Sequence, residues 1–287
     1  MLTSAPPAVP VACMRWSPGA VQSWRRPGDG GFDPGRYAVA ELPDADAKAF
    51  VLARHYSGTY PAARLRYGLT DRASGVLAGV AVLSVPASAR VLSRVFPSLE
   101  PYAESLELGR LVLADEVPSN GESWFVARAF RLAAAGGIRG VVSFSDPVPR
   151  RRADGTLVMP GHVGTVYQAL GAEYTGRGTP RTLALLPGGV VFSPRAMQKI
   201  RAGERGHEYA ERRLVALGAE PMRPGHDPAA WLAAALDDAG ARPFRHQGNH
   251  RYAFRLGVGR RTRAAVTIAL PGRGYPKSPD LGTELAA

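Results

Sequence analysis

A mixed α/β protein, with a central sheet flanked by helices, is predicted by three features of the 287-residue sequence. Segments with helical spacing of apolar residues alternate with short runs of strand character. A Gly136-Gly137 stop separates an apolar helix from a buried-type strand, Ile138 to Phe144. No internal repeat breaks the pattern into a solenoid or propeller.

The elements follow in order. Residues 1–33 are rich in Pro, Gly and Arg, lack periodicity, and read as a flexible leader. Pro43-Asp44 starts a helix over Ala45 to about His55, with Ala47, Phe50, Val51 and Arg54 at helical spacing, and Tyr56-Ser57-Gly58 stops it. Arg66 to Leu69 and Val76 to Val85 form a hairpin around the Asp71–Gly75 turn. Leu106 to Leu113 is a strand, Asn120-Gly121-Glu122 a loop, and Ser123 to Ala135 a helix. After the strand that closes at Asp146-Pro147 come a basic loop over 149–160, a short helix from Val163 to Leu170 and a strand from Thr182 to Leu186. A second section begins near Ser193, with a polar helix over about 196–217, another from Trp231 to Ala239, and candidate strands at Tyr252–Leu256 and Ala264–Leu270. The expected organisation is a leader (1–33), a core domain (34–192) and a basic α+β C-terminal extension (193–287).

Composition narrows the function. With 45% hydrophobic and 21% charged residues the chain is globular rather than disordered. No run approaches the roughly 18 apolar residues of a membrane span, and the first 30 residues lack an apolar block with a cleavage site, so residence in the cytoplasm is expected. The one cysteine, Cys13, cannot form an intramolecular disulfide or a thiolate metal cluster. The net charge of +12 is nearly all arginine, the only lysines being Lys48, Lys199 and Lys277. Such an excess favours a polyanionic partner, because each neutralised phosphate releases counterions.

Several positions can carry chemistry. His55-Tyr56-Ser57 ends the first helix, where the imidazole can serve as a base or metal ligand or simply cap the helix carbonyls. Arg110 sits in an otherwise apolar strand, so its guanidinium must meet an anion: a ligand, or the carboxylate of Glu107 or Glu122. Ser119, Asn120, Gly121, Glu122 and Ser123 join that strand to a helix, and helix-first amides suit a phosphate or need only a cap. Asp146 lies just past a buried strand, where open α/β sheets gather functional groups. His162 and Tyr167 follow closely. Two histidines and a carboxylate (His55, Asp146, His162) also match an iron site in composition. Arg150, Arg151 and Arg152 in the loop, and Arg260, Arg261 and Arg263 near the end, are phosphate contacts or solvated charges.

Taken as an ordered set, these blocks resemble the Mom family of phage DNA-modification proteins. The resemblance rests on His55-Tyr56-Ser57 with Pro61, Leu108-Gly109-Arg110-Leu111 with Glu122-Ser123, Ser143-Phe144-Ser145-Asp146-Pro147, Gly161-His162-Val163-Gly164-Thr165-Val166-Tyr167-Gln168-Ala169, and Gly248-Asn249-His250-Arg251-Tyr252, across about 37–277. It implies a GNAT-like acyltransferase scaffold that converts adenine in DNA to N6-(carbamoylmethyl)adenine and shields the DNA from restriction. It also implies His55, Tyr56, Arg110, Asp146 and Tyr167 as the active-site set, with acetyl-CoA received at Ser119–Ser123 and DNA as partner. The usual GNAT Q/R-x-x-G-x-G/A loop is absent at that position. The product joins nitrogen to a methylene carbon rather than to a carbonyl, which motivates iron at His55, Asp146 and His162. An ordinary N-acetyltransferase acting on a small amine or protein, and a non-enzymatic DNA-binding accessory protein, are the alternatives.

Overall fold

The computed structural model describes residues 13–17, 21–25, 30–152, 154–159, 161–278 and 285–286. In chain order its elements are β1 (Cys13–Ser17), β2 (Val21–Arg25), a 3-10 turn (Pro34–Arg36), β3 (Tyr37–Glu41), α1 (Asp44–Arg54), β4 (Ala63–Asp71), β5 (Leu77–Ser84), α2 (Arg90–Ser93), β6 (Ser105–Leu113), α3 (Gly121–Ala135), β7 (Gly140–Ser145), β8 (Arg150–Arg151) and β9 (Leu157–Met159). There follow α4 (Thr165–Ala169), β10 (Glu173–Arg177), β11 (Arg181–Leu185), β12 (Val191–Phe192), α5 (Pro194–Ala202), α6 (Glu208–Val215), α7 (Pro228–Asp238), β13 (Arg242–His246), β14 (His250–Arg255), α8 (Arg260–Ala264) and β15 (Leu285–Ala286). The chain is mixed α/β with a central, mostly antiparallel sheet flanked by helices, as the sequence predicts. It forms two compact units, interleaved in sequence: 1–144 with 164–176 and 251–275, and 145–163 with 177–250 and 276–287.

The first unit holds the seven-stranded sheet, ordered β10-β14-β7-β6-β5-β4-β3. Pairing is antiparallel from β3 through β6 and parallel between β6 and β7. The strand residues alternate between two cores, as a pleated strand requires. Ala81, Leu83, Leu106 and Leu108 join Phe125, Val126 and Ala129 of α3 on one side. Val80, Val82 and Val112 meet Ala47 and Val51 of α1 on the other. Helix α3 ends where the glycine pair predicts: Gly137 is left-handed (φ 96), its amide bonds to Ala134, and the Ile138 amide reaches back to Ala133.

Two details of the sheet position the site. The parallel β6/β7 pairing runs only from Ser105↔Gly140 to Leu108↔Ser143, although β6 continues to Leu113. Beyond Leu108 the two strands part. Between β5 and β6 the register jumps from Val82↔Arg110 to Leu83↔Leu108, leaving Gly109 as a bulge. A Cβ on Gly109 would stand 2.2 Å from Ser84 Oγ, so the bulge needs the bare backbone of glycine.

The second unit gathers α5, α6 and α7 around Ile200, Leu214, Trp231 and Leu232, beside the sheets β12-β11-β13 and β15-β8-β9. The polar helix expected over 196–217 is two helices, α5 and α6. Gly203 closes α5 in the left-handed region (φ 59), and Gly206 adds a second such turn (φ 81). The strand expected at Ala264–Leu270 is not formed: α8 covers 260–264 and the chain then runs irregularly, with the Ala269 amide bonded to the Val95 carbonyl. In the expected leader, β1 and β2 pair as an antiparallel hairpin. The rest of that segment up to residue 29 lies outside the described residues. Among the described residues no helix is long and apolar enough to cross a membrane.

Candidate active site

In the first unit four of the five expected active-site residues come together where β6 and β7 separate. His55 follows α1 directly as its C-cap, and its ring stacks on Tyr56 with centroids 4.3 Å apart. The Ser57 amide donates to His55 Nδ1 (3.1 Å), and Ser57 Oγ lies 2.8 Å from the same nitrogen. With Nδ1 accepting, the proton of the neutral ring sits on Nε2, so His55 presents a donor there rather than a base.

Arg110 anchors the loop that follows. Its Nε donates to the Thr59 carbonyl (3.0 Å), Nη2 to Thr59 Oγ1 (2.5 Å) and Nη1 to the Gly109 carbonyl (2.6 Å). Thr59 Oγ1 also lies 3.2 Å from Ser57 Oγ. A continuous polar chain thus links Arg110 to His55 through Thr59 and Ser57. Burial pulls the Arg110 pKa down, against the raising influence of the nearby Tyr56, Glu107 and Tyr167. Burial pushes the Glu107 carboxyl above its ordinary range, against the opposing pull of Arg110.

Tyr167 enters from the α3 side. Gly164, left-handed at φ 69, makes room: a Cβ there would stand 2.7 Å from the Tyr167 ring and 2.8 Å from that of Tyr252. The Tyr167 ring packs against Tyr252 and Phe254 at 5.4 and 6.2 Å. Burial raises its phenol to about 12, a hydrogen bond with Ser143 working the other way and the charges of Tyr56 and Glu107 adding to the rise. The phenol therefore keeps its proton throughout the neutral range.

The junction before α3 is built differently from a capped helix. Asn120 is left-handed (φ 73) and its side chain makes no cap bond; Gly121 bonds to the Pro118 carbonyl. A Cβ on Gly121 would meet Val117 at 2.6 Å, so this glycine serves packing. Arg15 of β1 crosses the junction, donating to the Val117 and Ala114 carbonyls (2.6 and 3.0 Å) and to Glu122 (2.7 Å). Glu122 is thereby neutralised, which leaves the amides of the first helical turn facing no uncompensated negative charge. Ser119 and Ser123 flank them, with Ser123 Oγ donating to the Asn120 carbonyl.

In the second unit Asp146 is the centre of a saturated network. Oδ1 accepts from the Val148 amide (3.0 Å) and from His246 Nε2 (2.9 Å), and Oδ2 is ion-paired with Arg150. The Gly248 amide donates to His246 Nδ1 (2.9 Å), which fixes the tautomer that gives Asp146 its hydrogen bond. Burial alone would raise the Asp146 carboxyl, but His246 and Arg150 outweigh it and hold the group below its usual value. His162 donates its amide to the Asp146 carbonyl (2.8 Å); burial lowers its imidazole pKa although the Asp146 charge favours protonation. The iron set expected at His55, Asp146 and His162 is corrected on this geometry. Both Asp146 oxygens are spent on internal partners, and among the described residues no group of three or more His, Cys, Asp and Glu is arranged to hold a metal.

Of the expected phosphate contacts, Arg150 is taken up by Asp146, and Arg151 donates to the Gly155 carbonyl. Arg152 is exposed, as are Arg260, Arg261 and Arg263 on and around α8. Thr59 and His246 escaped the sequence reading. A lone threonine in a loop carries no signal, and His246 meets Asp146 only through the fold, 100 positions away.

Solved structures with partial likeness include the GNAT-family N-acetyltransferase YhbS from Escherichia coli in complex with CoA (12% identity, 85% of this chain and 100% of that one, TM-score 0.35). Two others are a GNAT-superfamily phosphinothricin acetyltransferase from Sinorhizobium meliloti in complex with AcCoA (11%, 86% and 97%, 0.35) and a tandem GNAT protein from the clavulanic acid biosynthesis pathway (13%, 77% and 99%, 0.37). A search of curated proteins finds no match. The model of the Mom protein family matches residues 36–277, and the chain belongs to that family.

Proposed function

We propose that this protein is a DNA-modifying transferase that acts on the exocyclic N6 of adenine, forms N6-(carbamoylmethyl)adenine and so protects phage DNA from restriction in the cytoplasm. Membership of the Mom family supports the class of enzyme. The observation that carries the chemistry is the meeting of Arg110, Glu107, Tyr167 and the His55-Tyr56 segment at the parting of β6 and β7.

Each group has a role that its surroundings favour. Nitrogen attack requires a proton to leave N6, and Glu107, biased by burial toward accepting one, is the group to take it. Tyr167, still protonated at neutral pH, donates to the anion that forms as the leaving group departs. Arg110 carries the positive charge that steadies that anion, and its grip on Thr59 holds the His55-Tyr56 loop in place. His55 Nε2–H donates to a carbonyl or anion, and the stacked Tyr56 ring offers a face for a base flipped out of the duplex. The residues Ser119–Ser123 fit a pyrophosphate, since first-turn amides of α3 other than that of Gly121, which bonds to Pro118, lack intrahelical acceptors and Arg15 offsets Glu122. Acetyl-CoA held there would by simple acyl transfer give only N6-acetyladenine. Carbamoylmethyl transfer would need a donor that already carries the carboxamide and bears its leaving group on the methylene carbon. The N6–CH2 bond then forms as the leaving group takes its bonding electrons and Glu107 takes the N6 proton.

A protonated phenol, a carboxyl group and a guanidinium at one opening also suit plain N-acetyl transfer, and this is the second reading. Mass spectrometry of nucleosides from DNA co-expressed with the protein separates the two. Deoxyadenosine gaining CH2CONH2 in place of H supports the first, and unmodified DNA with acetylated protein or amine supports the second. On the DNA side, Arg152 is the exposed arginine of the 150–152 run, Arg150 being held by Asp146. Reversing the charge of Arg152 is expected to weaken binding and flatten its salt dependence; an unchanged slope would remove Arg152 from the phosphate contacts.

A further inference from the structure

On the first unit, away from the parting of β6 and β7, an open groove of about 350 Å3 runs between α3 and β3. Its walls carry Arg72, Arg128 and Arg131 together with Trp124, and no acidic residue. Arg128 lies flat over the Trp124 ring, 3.4 Å from its centroid, one helical turn along α3. Arg131 follows on the next turn and is exposed. Arg72, at the β4–β5 hairpin, donates from Nε to the Tyr37 carbonyl (3.0 Å), which fixes it beside the groove.

Arginines clustered on one surface without acidic neighbours create a positive potential that concentrates anions there. Here, among the described residues, no carboxylate lies within ion-pair distance of Arg72, Arg128 or Arg131. The nearby Asp71 is committed to Arg36 and to the amides of Ala73 and Ser74. Burial and the charge of Arg131 both work against the positive charge of Arg128. The repulsion is therefore left for an external anion to relieve. Three cations on two successive helical turns and a separate hairpin, lining one open groove, suit a ligand that presents several charges in a row, as a phosphodiester strand does.

We propose that this groove is a contact surface for the phosphodiester backbone of DNA, with Arg72, Arg128 and Arg131 as phosphate ligands and Trp124 as the platform that orients Arg128. The proposal rests on the DNA-modification reading above and adds to it a place where the duplex is held outside the reaction site. Contacts of this kind position the substrate and are indifferent to its sequence.

Fluorescence-anisotropy titrations of a labelled duplex oligonucleotide, over a series of salt concentrations, test it with the full-length protein. The triple variant R72Q/R128Q/R131Q and the single variant R131Q are compared with the native protein. The slope of log affinity against log salt is expected to shrink by about 0.9 for each phosphate that is no longer neutralised. R131Q changes an exposed side chain, so it remains decisive if the triple variant does not fold. Native-like slopes in both variants, with the native protein binding DNA, overturn the groove and leave the DNA reading standing. Absence of salt-dependent DNA binding by the native protein overturns both.

Discussion

Glu107 and Arg110 act on the same side of β6 although they are three residues apart. In a regular strand that spacing sends side chains to opposite faces. The bulge at Gly109 adds one residue and restores the common face, so each group lies within the electrostatic reach of the other. The same shift pairs Arg110 with Val82, whose neighbours Val80 and Val112 pack under α1. Arg110 is thereby carried toward the loop that leaves α1 and can grasp Thr59.

Gly109→Ala tests whether this bulge makes the site. The new methyl would sit 2.2 Å from Ser84 Oγ, 3.1 Å from its Cβ and 3.3 Å from Pro61 Cγ, so the Ser84 side chain must turn away and its surroundings must give by a few tenths of an ångström. A loss of about 1–3 kcal/mol in urea unfolding is expected, as for other overpacked cores, with loss of DNA modification. Ser84→Gly in the same chain removes the clashing atoms and should recover most of the stability. Failure of the second change to help would place the cost elsewhere.

Arg110→Lys keeps a positive charge but cannot span Thr59 and Gly109 with a planar fork. Hydrogen bonds from a charged donor are worth about 1.5–3 kcal/mol, so a ten- to hundred-fold fall in modification rate is expected. Thr59→Val should give a smaller fall, because the hydrogen bond to the Thr59 carbonyl survives. Equal rates in all three proteins would show that the grip on the loop does not matter to catalysis.

Much of this site was legible in the sequence, and the reason is local. A helix ending at His55, a guanidinium inside an apolar strand and a glycine pair after α3 are each short-range patterns that physics restricts to few outcomes. The legible part ends where the fold, not the neighbourhood, chooses the partner. Asp146 has the look of a reactive carboxylate at a strand end, yet His246 and Arg150 consume its acceptors. The bulge could have been suspected from Gly109, since glycine inside a strand often marks one, but its consequence for the Glu107–Arg110 pairing follows only from the register with β5.

Asp146→Ala is accordingly expected to act on stability. It strands the largely buried Arg150 and removes the acceptor of His246, a loss of about 3–5 kcal/mol for a broken buried pair. The folded-state pKa of Asp146 is held below its unfolded value, so its contribution is present at neutral pH and fades as the pH falls through the folded value. The stability gap between the native protein and the variant should therefore narrow in acid, which urea unfolding at several pH values would measure. A variant with native stability and no modification would instead return Asp146 to the chemistry.

Tyr167→Phe isolates the phenol hydroxyl from the ring. The ring contacts with Tyr252 and Phe254 and the clearance over Gly164 are kept, so unfolding should be little changed. Loss of a positioned acid costs about a hundred- to ten-thousand-fold in rate. Because burial holds the phenol near 12, the native protein should show no alkaline fall in rate from this group below pH 10 or so. Glu107 sets the other limb. Its raised pKa means that the carboxylate form is disfavoured in the folded protein, so the acid limb of the rate profile should lie above the ordinary carboxylate range. The same shift makes the stability contributed by Glu107 greatest in acid and lost as the pH rises through the folded value. Glu107→Gln should then abolish the acid limb along with most of the rate, while standing progressively better against urea than the native protein as the pH is raised. An acid limb that persists in this variant would assign the base to another group.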